Sequence, residues 1–165
     1  MNKEHFEEFL ATHEKRIFRY LMGITASEHD AMDLVQTVFI SVYDHFERIE
    51  EATALSYVYK IAHNKAMTFI KQRKRYIPID PDKFKHLPQP QTEPETKDYS
   101  SLNLALGQLP PRLAAVIQLQ YYENMSYKDI ATHLGISVKA VESLLVRAKR
   151  ILRKKIMQES KSREV

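Results

Sequence analysis

Cysteine is absent from this sequence of 165 residues, and glycine is rare, with three residues. Without cysteine the chain can form neither a disulfide framework nor a zinc site built on thiolates, and a reducing cytoplasm is its expected compartment. No stretch approaches the roughly 20 consecutive apolar residues of a membrane span, and the N-terminal residues are unlike a signal peptide. We therefore expect a cytoplasmic protein without membrane insertion.

The usual signatures of catalysis are missing as well. The sequence contains no glycine-rich phosphate loop and no nucleophile elbow. Its seven histidines are scattered, with no pair at metal-ligand spacing beside a carboxylate, and we interpret them as ordinary surface or boundary residues. The sequence therefore predicts no catalytic residue, no metal, no cofactor and no small-molecule substrate, so an enzyme is the least favoured class of protein.

Helices are the only regular structure that the sequence supports, because no run alternates apolar and polar residues as a half-buried strand does. Five of the seven prolines lie between residues 76 and 98, where they prevent a continuous helix and favour an extended tether. We predict an all-α protein of two small helical domains joined by a proline-rich linker. The divisions are residues 1–75, the linker 76–98, residues 99–160 and a tail, 161–165. An ordered loop packed on one domain is the alternative for part of the linker.

Charge is distributed unevenly about this linker. Residues 1–75 carry 11 basic and 11 acidic groups, which cancel, whereas residues 99–165 carry 11 basic and 5 acidic groups, a net charge of +6. Within the first domain, residues 52–79 contain no acid. Each domain is therefore expected to present one basic surface, as in a protein that grips a polyanion at two places. Two solvated helix ends are the alternative.

Three helices are predicted in the first domain, near residues 3–24, from a capping box that begins at Ser27, and near residues 54–75. Their apolar stripes can form the core of a small bundle, in which the third helix buries Leu55, Val58, Ile61, Ala62, Phe69 and Ile70. The second helix leaves over an acidic face, which also carries an isoleucine that folding does not need. A partner protein could bind this face, which consists of Asp30, Asp33, Thr37, Ile40 and Asp44.

The third helix also leaves a face that the core does not use. Its residues combine an aromatic ring, amide and hydroxyl groups and cations, which can stack on unpaired bases, hydrogen-bond their edges and neutralise phosphate. They are Tyr57, Lys60, Asn64, Thr68, Lys71 and Arg75. A polar solvated face is the alternative.

The second domain contains a predicted helix-turn-helix at residues 126–146. Ser126 and Asp129 form a capping box, Gly135 permits the positive φ of the turn, and Ser137 caps the second helix. The outer face of that second helix would meet base edges and phosphates, and it presents Ser137, Lys139, Ala140, Glu142, Ser143, Val146, Arg147 and Arg150. A purely structural helix hairpin is the alternative. A further helix is predicted ahead of the motif, from Pro110 to near Asn124.

Together these segments resemble the extracytoplasmic-function subfamily of the principal bacterial RNA polymerase sigma factor family. The polymerase-binding segment of that family resembles DAMDLVQTVF at residues 30–39, and its minus-ten recognition and melting helix resembles YVYKIAHNKAMTFIKQRKR at 57–75. The domain that recognises the minus-thirty-five element resembles residues 109–152. The resemblance implies a factor that binds core RNA polymerase, directs it to promoter DNA, and is held by an anti-sigma factor.

Carried over by position, the resemblance assigns Asp30, Asp33, Leu34 and Gln36 to the polymerase contact, which Thr37 and Ile40 extend. It places Asn64, with a loop at residues 47–56, near an unpaired promoter base. The sequence departs from the family where Tyr57 replaces a frequent tryptophan, Thr68 a frequent aspartate, and Glu142 and Leu145 frequent basic residues. The alternative is a stand-alone helix-turn-helix regulator, which would need a receiver or ligand-binding domain that the first domain does not predict.

Overall fold

A computed structural model describes residues 3–76 and 105–163, and the regular structure of these residues is helical throughout. The first domain contains α1 (Phe6–Thr25), α2 (Glu28–His45) and α3 (Glu51–Tyr76). The second contains α4 (Pro111–Ile117), α5 (Tyr127–Leu134) and α6 (Val138–Arg163). The all-α prediction is confirmed. The predicted linker, apart from Tyr76 at the end of α3, lies outside the described residues.

Short irregular helices complete these elements. The chain forms 3-10 helices at Lys3–His5 and Phe46–Arg48, and α4 continues into a π-helical segment, Gln118–Tyr122. Because α3 begins at Glu51, most of the segment 47–56 is helical, and its assignment as a loop is wrong. None of the described helices is long and apolar enough to cross a bilayer.

Serine side chains begin three of the helices, as predicted. The Oγ of Ser27 accepts a hydrogen bond from the Asp30 N–H at 3.3 Å, and Ser126 accepts one from the Asp129 N–H at 3.1 Å. Ser137 accepts one from the Ala140 N–H at 3.0 Å. Each of these caps satisfies a backbone donor that the helix cannot pair, and such a cap typically contributes about 1 kcal/mol. Local sequence therefore sets where α2, α5 and α6 begin.

The stripe predicted on α2 forms the centre of the first domain. Its buried members are Ala31, Leu34, Val35, Val38, Phe39 and Val42, and Phe46 is buried just beyond the helix. The apolar spacing of α2 also predicts Tyr43 as a core residue, but 41% of it is exposed, so that prediction is wrong. Its ring reaches only the edge of the core, where its centroid lies 5.0 Å from that of Phe6.

On α3 two faces are buried, although the sequence predicts one. Val58 and Ala62 lie in the core as predicted, and the other predicted positions are partly buried against it. Tyr59, His63 and Ala66 are also buried. This second face contacts α5 of the other domain. The interpretation of the histidines as surface or boundary residues is therefore wrong for His63 and His133, which are 9% and 7% exposed.

The two domains pack directly on each other, and one hydrophobic core runs through both. Helix α4 lies between α1 and α6, and α5 lies between α3 and α6. Five successive residues of α4, from Leu113 to Ile117, are buried. A helix that is apolar all round needs cover on more than one side. The second domain thus completes its burial against the first.

Candidate nucleic-acid interface

Most of the predicted acidic face of α2 is exposed to solvent and is accessible to a partner protein. Asp33, Gln36 and Thr37 are exposed, and Ile40 is 64% exposed, so its apolar side chain is accessible to a partner. Asp30 is half-buried, and its Oδ2 accepts a hydrogen bond from Arg73 Nη1 at 3.0 Å. Leu34 is 7% exposed, on the core side, and offers little surface to a partner.

The polar face of α3 lies beside this acidic face. Lys60, Asn64, Thr68 and Lys71 are exposed, whereas Tyr57 is half-buried and its ring packs partly on the core. Arg75 belongs to α3, but its side chain is outside the described part of the structure.

A shallow groove joins the two faces. Thr37 of α2 lies on one wall, Asn64 and Thr68 of α3 lie on the other, and the groove has a volume of about 370 Å³. The structure therefore places residues predicted to bind a protein within one groove with residues predicted to bind unpaired bases.

The predicted helix-turn-helix is formed by α5, a tight turn and α6. Gly135 occupies the turn with φ of 67°, a backbone conformation that side chains disfavour, and the Ile136 N–H donates to the Ala131 carbonyl at 3.1 Å. Ile130 and Val141 are buried where the two helices meet. A solvent-facing surface of α6 remains.

This outer surface of α6 contains the residues that are predicted to contact base edges and phosphates. Ser137, Lys139, Glu142, Ser143, Val146, Arg147 and Arg150 are exposed, and Ala140 is half-buried. Leu145, one of the departures from the family, is 1% exposed. It is a core residue that cannot contact a base in this fold, so the departure that bears on DNA reading is Glu142.

Cations from both domains converge on a second groove of about 460 Å³. Lys71 and Lys74 of α3 approach it from the first domain, and Arg112 of α4 and Arg147 of α6 approach it from the second. Among the described residues none of the four forms an ion pair. The two predicted basic surfaces therefore meet at one place, and the combined positive potential suits a polyanion.

An ion pair crosses the boundary between the domains. Arg16 Nε of α1 donates to Glu123 Oε2 at 2.9 Å, and the Glu123 side chain is 5% exposed. Burial, followed by the positive charge of Arg16, lowers the pKa of the neighbouring His13. Burial and the Glu123 carboxylate raise the pKa of the Tyr59 hydroxyl. A largely buried carboxylate of the second domain is thus paired with a cation of the first.

A buried histidine lies on the same boundary. The Tyr20 hydroxyl of α1 lies 3.0 Å from His63 Nδ1 of α3. Burial, and to a lesser degree the positive charge of Arg112 from the second domain, lower the pKa of His63 to about 4. The imidazole is therefore neutral near neutral pH.

These boundary residues are the functional candidates that the sequence analysis missed. Two signals pointed to the boundary, although neither identifies Arg16 or Glu123. The spacing of Tyr59, His63 and Ala66 places a second buried stripe on α3, and the segment from Leu113 to Ile117 is continuously apolar. Either signal indicates a helix covered on two sides. Among the described residues, no group of three or more histidines or carboxylates could hold a metal ion.

Comparisons with known proteins agree with this arrangement. The chain matches the family models Sigma-70 region 2 over residues 9–76 and Sigma-70, region 4 over residues 99–152. It is 27% identical over 154 residues to the ECF RNA polymerase sigma factor SigE of Mycolicibacterium smegmatis, which covers 90% of this chain and 60% of that protein. It is 24% identical over 152 residues to the ECF RNA polymerase sigma factor SigM of Bacillus subtilis, with 89% and 92% covered.

A solved structure shares the fold. The sigma factor RpoE from Bartonella quintana, crystallised with the anti-sigma factor NepR, superposes with a TM-score of 0.78 at 18% identity, over 92% of this chain and 96% of that one. Two region models in the expected order, relatives along nearly the whole chain and a shared fold all give the same assignment. The chain therefore belongs to the sigma-70 family of RNA polymerase sigma factors, in its extracytoplasmic-function subfamily.

Proposed function

We propose that this chain binds core RNA polymerase in the cytoplasm and directs it to promoters, without a catalytic step of its own. The observation that carries the proposal is the groove in which Thr37 of α2 faces Asn64 and Thr68 of α3. A factor that opens DNA on a polymerase must hold an unpaired strand close to its polymerase contact. Residues 1–75 would act as region 2, and residues 99–160, joined by the linker 76–98, as region 4.

The polymerase contact consists of the exposed part of the α2 face. Asp33 and Asp30 attract a basic surface, and Ile40 provides apolar area that is desolvated on binding. Gln36 and Thr37 contribute hydrogen-bonding groups beside them. Leu34 acts from beneath, because its buried side chain fixes α2 against the core.

The minus-ten element is bound along α3. Tyr57 offers the exposed part of its ring for stacking, Asn64 and Thr68 offer hydrogen bonds to base edges, and Lys60 and Lys71 neutralise phosphates. Because much of the Tyr57 ring packs on the core, its contribution to stacking comes with a contribution to stability.

The minus-thirty-five element is bound by α6. Lys139, Glu142 and Ser143 lie in the N-terminal turns that enter a major groove, with Val146 available to an apolar base edge such as the thymine methyl group. Arg150, Arg153 and Lys154 lie further along the helix, where they can contact phosphates irrespective of sequence.

An anti-sigma factor is the proposed regulatory partner. The Bartonella sigma factor was crystallised in complex with a partner of this kind. The present chain shares that fold, and its exposed apolar residues include Ile40 and Val146. A partner that covered them would withdraw both binding faces.

Run-off transcription tests the proposed function directly. Core polymerase with this chain is expected to initiate at specific sites in a library of genomic promoters, whereas core polymerase alone is not. Strong sequence-specific duplex binding by the purified chain without polymerase, and no run-off product with it, would instead identify a stand-alone regulator.

A further inference from the structure

A single acid lies in the strongly basic stretch that includes α6. Between residues 130 and 158 Glu142 is the only acid, whereas seven lysines and arginines occur there. A carboxylate reduces the attraction of such a surface for phosphates. Glu142 is also the fifth residue of α6, beyond the first turn in which an acid stabilises a helix through its dipole. Neither phosphate binding nor the helix dipole therefore accounts for an acid at this position.

Exposure along α6 places Glu142 on the surface that enters a groove. The exposed side chains form a ribbon of neighbouring pairs at four-residue steps, which are Val138 and Lys139, Glu142 and Ser143, and Val146 and Arg147. Residues four apart lie on the same face of a helix, so one edge of the ribbon consists of Val138, Glu142 and Val146. The two valines are 42% and 55% exposed. Apolar side chains therefore lie one turn before and one turn after the carboxylate.

Lys139 is the cation that lies beside Glu142. The two residues are three positions apart, and side chains at this spacing are neighbours on a helix, with about 5 to 6 Å between their Cβ atoms. Leu145, three positions beyond Glu142, is 1% exposed. Among the described residues neither Lys139 nor Glu142 forms an ion pair, and the Ser143 hydroxyl donates to the Lys139 carbonyl at 3.0 Å and not to the carboxylate. In this part of the chain a donor and an acceptor thus lie side by side, available to DNA.

The major-groove edges of the base pairs fit such a pair unequally. A carboxylate is an acceptor only, and a lysine ammonium is a donor only. Cytosine presents its N4 amino donor, and the paired guanine presents the acceptors O6 and N7. Adenine also has an amino donor, but its N7 acceptor lies next to it and repels a carboxylate, and guanine and thymine offer acceptors alone. The carboxylate therefore favours cytosine first, adenine second, and guanine and thymine least.

We propose that Lys139 and Glu142 together recognise one C·G base pair of the upstream promoter element. Glu142 accepts a hydrogen bond from cytosine N4, and Lys139 donates to O6 or N7 of the paired guanine. Glu142 is thus a specificity-determining residue, whose charge also rejects guanine and thymine at the same position. This inference rests on the proposed function, because α6 must enter the major groove of a promoter.

The first experiment measures which base pair the holoenzyme prefers. Every base pair is placed in turn at each position of an upstream element that supports run-off, and affinity is measured for the unmodified chain and for Glu142→Gln. The unmodified chain should prefer C·G over G·C at one position by roughly 10- to 100-fold. Glutamine has nearly the same shape but can bind N6 and N7 of adenine, so Glu142→Gln should shift the preference at that position to A·T. Glu159→Gln, which removes an acid about 25 Å further along α6, is the control and should leave every preference unchanged.

The second experiment tests whether the two side chains act on the same base pair. Lys139→Ala should relax the preference at the position that Glu142→Gln affects. The charge-swapped double variant, Lys139→Glu with Glu142→Lys, exchanges donor and acceptor along the helix and should prefer G·C over C·G there. Because both side chains are exposed, all of these variants should keep the helix content of the unmodified chain, which circular dichroism measures.

A preference for C·G that persists in Glu142→Gln would overturn the proposal, as would relaxation of different positions by the two single variants. A uniform gain in affinity for all sequences in Glu142→Gln would also overturn it, because a solvated acid would show only the loss of its repulsion from phosphates. An unmodified chain that gives no run-off product from any promoter would instead overturn the proposed function, and this inference with it.

Discussion

The two domains bury their helices in different ways. The helices of the first domain are 20, 18 and 26 residues long, and each has a polar surface left over after packing. In the second domain α4 and α5 have 7 and 8 residues, and α4 is covered almost all round. Short helices have little stability of their own and depend on tertiary contacts. The two short helices of the second domain therefore gain part of their burial from the first domain, although α6, with 26 residues, is as long as α3.

The ion pair within the first domain also differs in burial from the ion pair between the domains. Arg73 and Asp30 pair within the first domain with side chains that are 49% and 21% exposed, whereas Arg16 and Glu123 join the two domains with side chains that are 37% and 5% exposed. An exposed pair contributes little, but removing one partner of a buried pair leaves an uncompensated charge. The variants below test this difference between the domains, in order of decreasing expected effect.

Reversal of charge on the exposed face of α2 should affect binding and not folding. Asp33→Arg is expected to abolish holoenzyme formation, since a reversed charge at a complementary interface costs several kcal/mol, while the melting temperature stays nearly unchanged. Co-purification with core polymerase measures the effect. Glu7→Arg, on the exposed side of α1, is the control, and unchanged co-purification of Asp33→Arg would refute the α2 assignment.

Removal of the cation at the boundary should affect stability. Arg16→Met leaves the largely buried Glu123 carboxylate without its cation. We expect the free energy of unfolding to fall by roughly 2 to 3 kcal/mol, less than for a fully buried pair because Arg16 is partly exposed. Arg73→Met is the matched control and should cost less than about 1 kcal/mol. Urea denaturation measures the free energy of unfolding of both variants. Similar losses would mean that the ion pair at the boundary stabilises the protein no more than the exposed pair does.

Substitutions near the start of α6 and substitutions further along it should affect DNA binding in different ways. Lys139→Ala or Glu142→Ala is expected to change the preferred upstream sequence by about 1 to 3 kcal/mol per lost base contact. Arg153→Ala or Lys154→Ala should weaken binding to all sequences alike and reduce the salt slope by up to about one unit per phosphate contact. Holoenzyme affinity for upstream variants at several salt concentrations separates the two outcomes, and altered preference in the distal variants alone would contradict the docking of α6.

Stacking on α3 should be visible as a difference between templates. Tyr57→Ala and Asn64→Ala are expected to weaken open-complex formation on duplex promoters more than on pre-melted ones, by about 1 to 3 kcal/mol for a lost stacking contact. The half-buried ring of Tyr57 should also give a loss of stability that Asn64→Ala lacks. Equal defects on both templates would show that these residues do not act by binding the unpaired strand.

Acid should weaken the boundary through His63. Its pKa of about 4 lies below the value near 6.5 of an unfolded histidine, so the unfolded chain takes up a proton as the pH falls from 7 toward 4 while the packed protein does not. The free energy of unfolding should fall by about 1 to 2 kcal/mol between pH 7 and pH 5. His63→Gln should remove this part of the pH dependence, and His5→Gln, on the exposed N-terminal turn, should not.

Much of the local structure follows from the sequence alone. Ser27, Ser126 and Ser137 cap helices where the sequence predicts them, and the α2 stripe is buried apart from Tyr43, because caps and stripes depend on residues within one or two turns of each other. Gly135 takes its predicted positive φ for the same reason. The solvent-facing positions of α2, α3 and α6 follow as the complement of those stripes, and with them most of the candidate interface.

Tertiary structure decided how the domains meet. His63 and His133 are buried where the two domains meet. Arg16 pairs with Glu123, and Gln118 lies against Gly23, although each pair joins residues of different domains. Periodicity within a helix identifies which face is apolar, but not which distant surface covers it. The burial of Leu145 on α6 was likewise decided by the tertiary structure, because burial depends on the area that all neighbours together remove from water.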